Sequence, residues 1–254
     1  MNKLFQRISS GLFLTGQILV HLIQLKIYRL NTIEQMSFVG PASLPIALIT
    51  AAFVGMVFTI QVAREFIYFG ASSAVGGVLA IALTRELAPV LTAVVLAGRV
   101  GSAFAAEIGT MKVTEQIDAL QILKTDPVDY LVTPRVLSCF LMLPILTICS
   151  LIVGITGGLI IADSFYNIPS RVFLDSIRNF LSTWDVVASM IKSAIFGASV
   201  AIIGCNWGLT TTGGAKGVGQ STTAAVVISL ITIFMFNFIL SWLMFQGTGS
   251  AVIG

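Results

Sequence analysis

The sequence predicts an all-α integral membrane protein, and three observations support this fold class. Of its 254 residues, 56% are hydrophobic and only 10% are charged, whereas soluble domains carry about 25% charged residues. The mean hydropathy is +0.98. Five stretches of at least 19 residues contain no Asp, Glu, Lys or Arg, and each exceeds the ~18 residues that indicate a spanning helix. The net charge of +3 is too small to indicate nucleic-acid binding.

The first element, residues 1–30, is predicted to be an amphipathic helix that lies in the plane of the membrane interface. Polar residues recur along it at intervals of three, four or seven, a pattern typical of interfacial helices. The alternative is a sixth span, because residues 8–25 contain no formal charge. A cleaved signal peptide is not expected, since Lys26 and Arg29 follow the apolar stretch. The polar stripe consists of Lys3, Arg7, Ser10, Gln17, His21 and Gln24.

Five spans follow within a single membrane domain, residues 1–254. Pro41 and Pro45 are placed at the start of the first span, where a missing backbone N–H costs least. A Gly- and Ser-rich segment, residues 70–77, predicts a turn between the first two spans. The segment 164–183 predicts an extramembrane loop with a short amphipathic helix capped by Ser170. The predicted spans are residues 41–66, 80–111, 134–162, 186–211 and 222–246.

The distribution of positive residues predicts the orientation. Cytoplasmic segments of membrane proteins are enriched in Lys and Arg. With five spans and a cytoplasmic N-terminus, eight positive residues lie inside and four lie outside. The inside set is Lys3, Arg7, Lys26, Arg29, Lys112, Lys124, Arg135 and Lys216. The outside set is Arg64, Arg85, Arg171 and Arg178. The C-terminus is therefore predicted to lie outside.

The second span carries small residues at every fourth position: Ala97, Gly101, Ala105 and Gly109. Such a stripe lets another helix approach closely. It predicts either packing inside the bundle or a seam between two copies of the chain.

Two charged residues on the same span are candidates for a lipid path. Arg99 lies ~18 Å from the end of the helix at a rise of 1.5 Å per residue, near the middle of the bilayer. Glu107 is ~12 Å further along the axis, too far to pair with it. Arg99 either bonds to carbonyls or an acid of a neighbouring helix, or it faces a cavity that receives an anionic group.

A short amphipathic helix is predicted over residues 113–124, on the cytoplasmic side. Thr114 is placed as its N-cap, and Glu115 favours the positive end of the helix dipole. Ile117, Leu120 and Leu123 share one face, while Asp118, Gln121 and Lys124 point elsewhere. This helix either lies on the membrane surface or docks a cytosolic partner.

The sequence contains no catalytic or metal-binding motif that we recognise. The Gly-rich loop Thr210–Gly219 does not follow the spacing of a phosphate-binding P-loop. The three cysteines lack CxxC spacing, and a single His makes a His-based metal site implausible. We therefore expect neither an enzyme nor a cofactor.

Four motifs resemble the MlaE/YrbE family of ABC-transporter permeases, in particular its cyanobacterial and plastid branch. The most specific is GRVGSAFAAEIGTMKVTEQIDAL, at Gly98–Leu120. The others are TRELAP at Thr84–Pro89, GLTTTGGAKGVGQ at Gly208–Gln220 and QGTGSA at Gln246–Ala251. The resemblance implies a homodimeric permease that moves phospholipids or related lipids between membranes.

The same resemblance implies partners and a location. A separate cytosolic or stromal ATPase would contact the helix at residues 113–124, and an MCE-domain protein would associate on the outer side. The host membrane would be a bacterial inner membrane or a plastid inner envelope. Two other functions stay open, a secondary transporter and a membrane scaffold for a lipid-handling complex. Broken helices with an inverted repeat would indicate the first.

Overall fold

The computed structural model of the chain describes residues 10–11, 13–18 and 28–245. Every element among these residues is helical, and five helices are long and apolar enough to cross a membrane. This confirms the all-α membrane fold. The helices from residue 28 onward are α1 (Arg29–Tyr68), α2 (Ser72–Val113), α3 (Gln116–Ile122), α4 (Val128–Tyr166), α5 (Ser170–Phe180), α6 (Thr183–Leu209) and α7 (Gly214–Phe245). The five long ones are α1, α2, α4, α6 and α7.

The N-terminal helix predicted for residues 1–30 lies largely outside the described residues. Its described part, residues 10–11 and 13–18, is helical. Leu14 and Ile18, four residues apart, are both buried. The motif at Gln246–Ala251 also lies outside the described residues.

Helix α1 begins at Arg29 rather than near residue 41, so Pro41 and Pro45 lie inside the helix and not at its start. The charge-free stretch indicates only the part of the helix that is apolar enough to lie in the hydrocarbon core. Residues 29–40 include charged side chains, yet they continue the same helix. Each interior proline removes one backbone hydrogen bond.

The predicted turn at residues 70–77 is shorter than expected, because α2 already begins at Ser72 and passes through Gly76 and Gly77. These glycines serve close packing. A Cβ atom on Gly76 would collide with the carbonyl of Phe173 in α5, and the amide of Gly77 donates a 3.0 Å hydrogen bond to Ser176. Helix α5 starts at Ser170 with Pro169 preceding it, so Ser170 is not its cap.

Three segments of the long helices form π-helical turns, each with one extra residue per turn. They are Leu83–Leu87 and Ala97–Gly101 in α2, and Val128–Val132 at the start of α4. Such turns occur frequently at functional sites. The two turns in α2 carry Arg85 and Arg99.

The chain divides into two compact units. The first takes its described residues from Met1–Ser43, Ala93–Leu143 and Ala194–Met235. One of its clusters packs Ala105 against Trp207 and Ala225.

The second unit comprises Leu44–Thr92, Pro144–Ser193 and the described part of Phe236–Gly254. Its hydrophobic core joins α1, α2, α4 and α5. The core residues include Leu79, Leu83, Leu151 and Phe173.

Thiol labelling tests the predicted orientation. Gln121 and Asn179 are both exposed, and two spans precede the first while three precede the second. In a background without Cys139, Cys149 and Cys205, we expect an impermeant reagent added outside to label Asn179→Cys and not Gln121→Cys. Labelling of both from the same side would contradict five spans.

Candidate functional site

The second unit contains a lysine that is fully buried in a membrane-spanning helix. Lys192 of α6 has 0% exposure. Four acceptors share the three N–H groups of its ammonium: the Arg85 carbonyl (2.7 Å), Ser241 Oγ (2.7 Å), Glu86 Oε1 (3.1 Å) and Asn237 Oδ1 (3.3 Å). A buried charge is tolerated only when it is paired and hydrogen-bonded, and Lys192 meets both conditions.

Glu86 completes this network from the π-helical turn of α2. Its Oε1 accepts a hydrogen bond from Ser241 (2.7 Å), and its Oε2 accepts one from the Asn237 amide (2.6 Å). Both donors lie on α7. The side chain of Glu86 is nevertheless 43% exposed. The carboxylate is therefore fixed by three neighbours while one side of it stays accessible.

The residue beside it, Arg85, forms a second ion pair. Arg85 Nε donates to Asp185 Oδ1 at 2.8 Å. Asp185 is 1% exposed and also accepts hydrogen bonds from the amide and hydroxyl of Ser182. The guanidinium lies 4.7 Å from the ring centroid of Phe245, and the Arg85 side chain is 30% exposed.

We call these six residues the charged cluster: Arg85, Glu86, Asp185, Lys192, Asn237 and Ser241. It presents one partly exposed cation and one partly exposed anion on adjacent residues. Both are held rigid by buried partners. Such an arrangement can bind a polar group that carries charges or hydroxyls of its own.

Sequence reasoning missed this cluster. The sequence predicts for TRELAP only a family motif, and for Arg85 only a positive charge on the outer side. The signal was present, since Glu86 and Lys192 are ionisable residues in predicted spans, and such residues usually face a polar cavity or a partner. What could not be read from one sequence was that α2, α6 and α7 bring them together.

In the first unit, Arg99 contacts helix α1. Its Nη1 donates to Ser43 Oγ at 2.8 Å and to the Phe38 carbonyl at 3.4 Å. The guanidinium carbon lies 5.4 Å from the centroid of the Phe38 ring. No carboxylate of the described residues pairs with Arg99. It is half-buried.

Glu107 does not join Arg99, as expected from their separation along the helix. It pairs with Arg135 of α4 at 2.9 Å, a partner that the sequence did not indicate. Arg135 is 7% exposed and lies 5.3 Å from the ring centroid of Phe104. Glu107 is thus tied to a buried arginine while 47% of its side chain stays exposed.

The small-residue stripe of α2 packs inside the first unit. A Cβ on Gly101 would lie 3.0 Å from Val200 Cγ1, and one on Gly109 would lie 3.1 Å from Thr211 Oγ1. Ala97 and Ala105 are fully buried. Of the two alternatives for this stripe, these contacts correspond to packing within the chain.

A pair of leucine substitutions tests this packing. Gly98 lies in the same π-helical turn, but a Cβ there would meet nothing within 4 Å. We expect Gly101→Leu to cost about 2 kcal/mol or more through overpacking against Val200, and to lower the melting temperature in detergent. Gly98→Leu is the matched control and should melt like the wild type. Equal melting of both variants would contradict the packing role of Gly101.

Helix α3 differs from the predicted helix at its start. Thr114 does not cap it: its hydroxyl donates back to the Thr110 carbonyl (2.8 Å) of α2. Glu115 adopts a left-handed conformation (φ 61°), which ends α2 and turns the chain. The helix proper begins at Gln116. The cap prediction is wrong because α2 continues to Val113, so that Thr114 belongs to its last turn.

The apolar residues of α3 divide into two groups. Ile117 is 3% exposed and faces the interior of the chain, so it supports the helix instead of offering a docking contact. Leu120 is half-buried. Ile122 and Leu123 are 82% and 73% exposed. Asp118 pairs with Lys112 at 2.9 Å, which fixes α3 against the end of α2.

The five candidate spans, with ion pairs held between them, define a multi-pass membrane protein. The family described as Permease MlaE matches residues 32–243. The chain belongs to this family. Its membrane is a bacterial inner membrane or a plastid envelope membrane, as the sources of its relatives indicate.

Three relatives support this assignment. The chain is 67% identical over 250 residues to "Probable ABC transporter permease protein slr1045" of Synechocystis sp., covering 98% of this chain and 95% of the relative. It is 53% identical over 252 residues to "Probable ABC transporter permease protein ycf63" of Pyropia yezoensis, covering 99% and 96%. It is 50% identical over 239 residues to "Protein TRIGALACTOSYLDIACYLGLYCEROL 1, chloroplastic" of Arabidopsis thaliana, covering 94% and 68%.

Proposed function

We propose that the chain is the membrane subunit of an ABC transporter that moves phospholipids or related lipids between membranes. The observation that carries the proposal is the charged cluster. A lipid that crosses or leaves a bilayer must bring its polar headgroup through an apolar layer, and unpaired charges there are costly. Arg85 and Glu86 offer adjacent charges of opposite sign, each partly exposed.

These two residues suit the headgroup of a membrane lipid. A guanidinium can bind phosphate bidentately, and a carboxylate accepts hydrogen bonds from ammonium groups or sugar hydroxyls. The name of the Arabidopsis relative is that of a galactolipid, whose headgroup is rich in hydroxyls. Lys192 and Asp185 are too buried to contact a lipid, and we assign them the positioning of Glu86 and Arg85.

The energy source in this proposal is a separate ATPase subunit. Two of the relatives are named ABC transporter permeases, and the sequence has no phosphate-binding loop of its own. The exposed residue Ile122 at the end of α3 and the next residue, Leu123, would enter an apolar groove on the ATPase. Thr114 and Glu115, both exposed, would lie at the edge of this contact.

The remaining partners follow from the family resemblance. We propose a homodimer and an MCE-domain protein on the outer side. Helix α5 is the extramembrane element on that side, and Arg171, Asp175 and Arg178 are exposed on it. These residues would give an MCE-domain protein a polar surface to contact.

Reconstitution tests the lipid proposal directly. The chain is purified with its co-expressed ATPase, inserted into donor vesicles that contain fluorescent phospholipid or galactolipid, and mixed with acceptor vesicles. We expect ATP-dependent transfer that an ATPase variant without its catalytic base does not support. ATP hydrolysis without transfer of any membrane lipid would overturn the proposal.

Arg99 provides a prediction of its own within this assay. If the guanidinium holds a headgroup, Arg99→Lys and Arg99→Gln should assemble normally and keep basal ATPase activity. Both should lose lipid transfer, with Gln worse than Lys because it has no charge. If Arg99 only ties α2 to Ser43 and Phe38, Arg99→Gln should instead lower melting temperature and yield. Normal transfer by a stable Arg99→Gln complex would contradict the headgroup role.

A further inference from the structure

A half-open cavity of about 920 Å³ lies along the first turns of α7 in the first unit, and its lining residues Lys216 and Val227 are exposed. Pockets that enclose small ligands have volumes of ~300–1,000 Å³. The cavity is at the end of the unit that carries α3. Thr211, which precedes the lining residue Thr212, packs against Gly109: a Cβ atom on Gly109 would lie 3.1 Å from Thr211 Oγ1. Gly109 is four residues before the end of α2, where the chain continues into α3.

The lining of the cavity changes from polar to apolar along the axis of α7. Lys216, Gln220 and Ser221 come first. Val227 and Ile228 follow, about two turns further on, beside Trp207 of α6. Lys216 and Ile228 are twelve residues apart, or ~18 Å along a helix. This is close to the ~15 Å thickness of one leaflet of the hydrocarbon core.

The polar end of the cavity offers hydrogen-bond donors and lacks an anion. No carboxylate lines it, and Lys216 forms no ion pair with a described residue. Ser221 is only 2% exposed as a residue and lines the cavity, and its hydroxyl makes no hydrogen bond to any residue that the structure describes. The Oγ atom is accessible from the cavity. A ligand with anionic oxygens would accept a hydrogen bond from it.

We infer that this cavity binds one phospholipid from the leaflet at the α3 end, separately from the charged cluster. Its phosphate contacts Lys216 and Ser221, and an acyl chain lies along Val227, Ile228 and Trp207. A free phosphate would leave the apolar half of the cavity unfilled. The inference extends the proposed function, because it gives the chain a second lipid site.

Photolabelling of the whole chain in nanodiscs tests this site without ATPase or transport. The probe is phosphatidylglycerol with a diazirine in its acyl chain, and the comparison probe is the matching diacylglycerol, which lacks phosphate. Peptide mass spectrometry then gives the ratio of labelling at residues 224–228 to labelling at residues 234–238. Phe234, Met235 and Phe238 are exposed apolar residues of the same helix and report labelling by surrounding lipid.

We expect this ratio to be high for phosphatidylglycerol and about tenfold lower for Lys216→Glu, a change equivalent to about 1.4 kcal/mol. Diacylglycerol should give the low ratio with either protein. Lys124→Glu is the matched control, since Lys124 is an exposed lysine in the segment after α3 that does not line the cavity. It should leave the ratio unchanged.

Three results would overturn the inference. The first is an equal ratio for wild type and Lys216→Glu, or for the two probes. The second concerns chemical labelling of Lys216 by an amine reagent. If inorganic phosphate protected Lys216 as completely as phosphatidylglycerol does, the cavity would be a site for small anions. The third is disulfide formation between two copies of Val227→Cys, which would place a second chain there. None of these results bears on ATP-driven lipid transfer. The proposed function is tested separately, by the vesicle assay.

Discussion

Lys192→Met is expected to lower the melting temperature of the chain in detergent and to reduce ATP-driven lipid transfer about tenfold or more. Lys192 is the buried cation that holds Glu86, Ser241 and Asn237 together. Its removal leaves the Glu86 carboxylate without a counter-ion. Breaking a buried pair costs about 3–5 kcal/mol, and we expect the lower end of this range because Glu86 is partly exposed.

A double variant separates stability from function. Glu86→Gln with Lys192→Met removes both charges and keeps an amide that can bond to Ser241 and Asn237. We expect its melting temperature to return most of the way to that of the wild type, because no unpaired charge remains. Lipid transfer should stay low, because Glu86 is the partly exposed anion of the proposed headgroup site. Recovery of both properties would show that the cluster is structural only.

The presence of five long apolar helices was predictable because membrane insertion depends on composition. A helix needs about 20 apolar residues to cross the hydrocarbon core, and charge-free stretches reveal such segments directly. The ends of the helices were less predictable. Residues 29–40 and Gly76–Gly77 are helical because neighbouring helices and backbone hydrogen bonds support them, and a hydropathy pattern does not record either.

The function of individual residues was predictable only in part, since it depends on distances between helices. Periodicity identified the stripe at Gly101 and Gly109, but it could not choose between packing inside the chain and packing between chains. Arg99 and Glu107 stood out as ionisable residues, yet their partners Ser43 and Arg135 lie on other helices. The charged cluster forms only where α2, α6 and α7 meet, and a single sequence does not give the distances between helices.

Helix α3 shows the same limit on a smaller scale. The three-residue spacing of Ile117, Leu120 and Leu123 predicts that they share one apolar face. In the structure Ile117 points inward, since the left-handed residue Glu115 turns the chain before the helix starts. Of the predicted face, Leu123 is the residue that is exposed, and Ile122, which the spacing does not place on that face, is exposed beside it. The side of a short helix that is free depends on how the preceding residue turns the chain.

Leu123→Asp is therefore expected to give a folded, membrane-inserted chain that no longer retains its ATPase. Leu123 is 73% exposed, so the substitution should not affect the interior. A charge placed in a desolvated interface weakens the free energy of association by several kcal/mol. Since about 2.8 kcal/mol corresponds to a 100-fold change in affinity, we expect the affinity for the ATPase to fall more than 100-fold. Co-purification of the tagged chain with the ATPase measures this loss, and lipid-stimulated ATP hydrolysis should fall with it.

Leu174→Asp is the matched control for this experiment, because Leu174 is an exposed leucine of the short helix α5, which the candidate span α4 separates from α3 along the chain. It should retain the ATPase fully. Ile117→Asp would be a poor test, since burying a charge at a residue with 3% exposure would unfold α3 and remove the ATPase for a trivial reason. Full retention and stimulation of the ATPase by Leu123→Asp would show that the exposed end of α3 rests on the membrane surface instead.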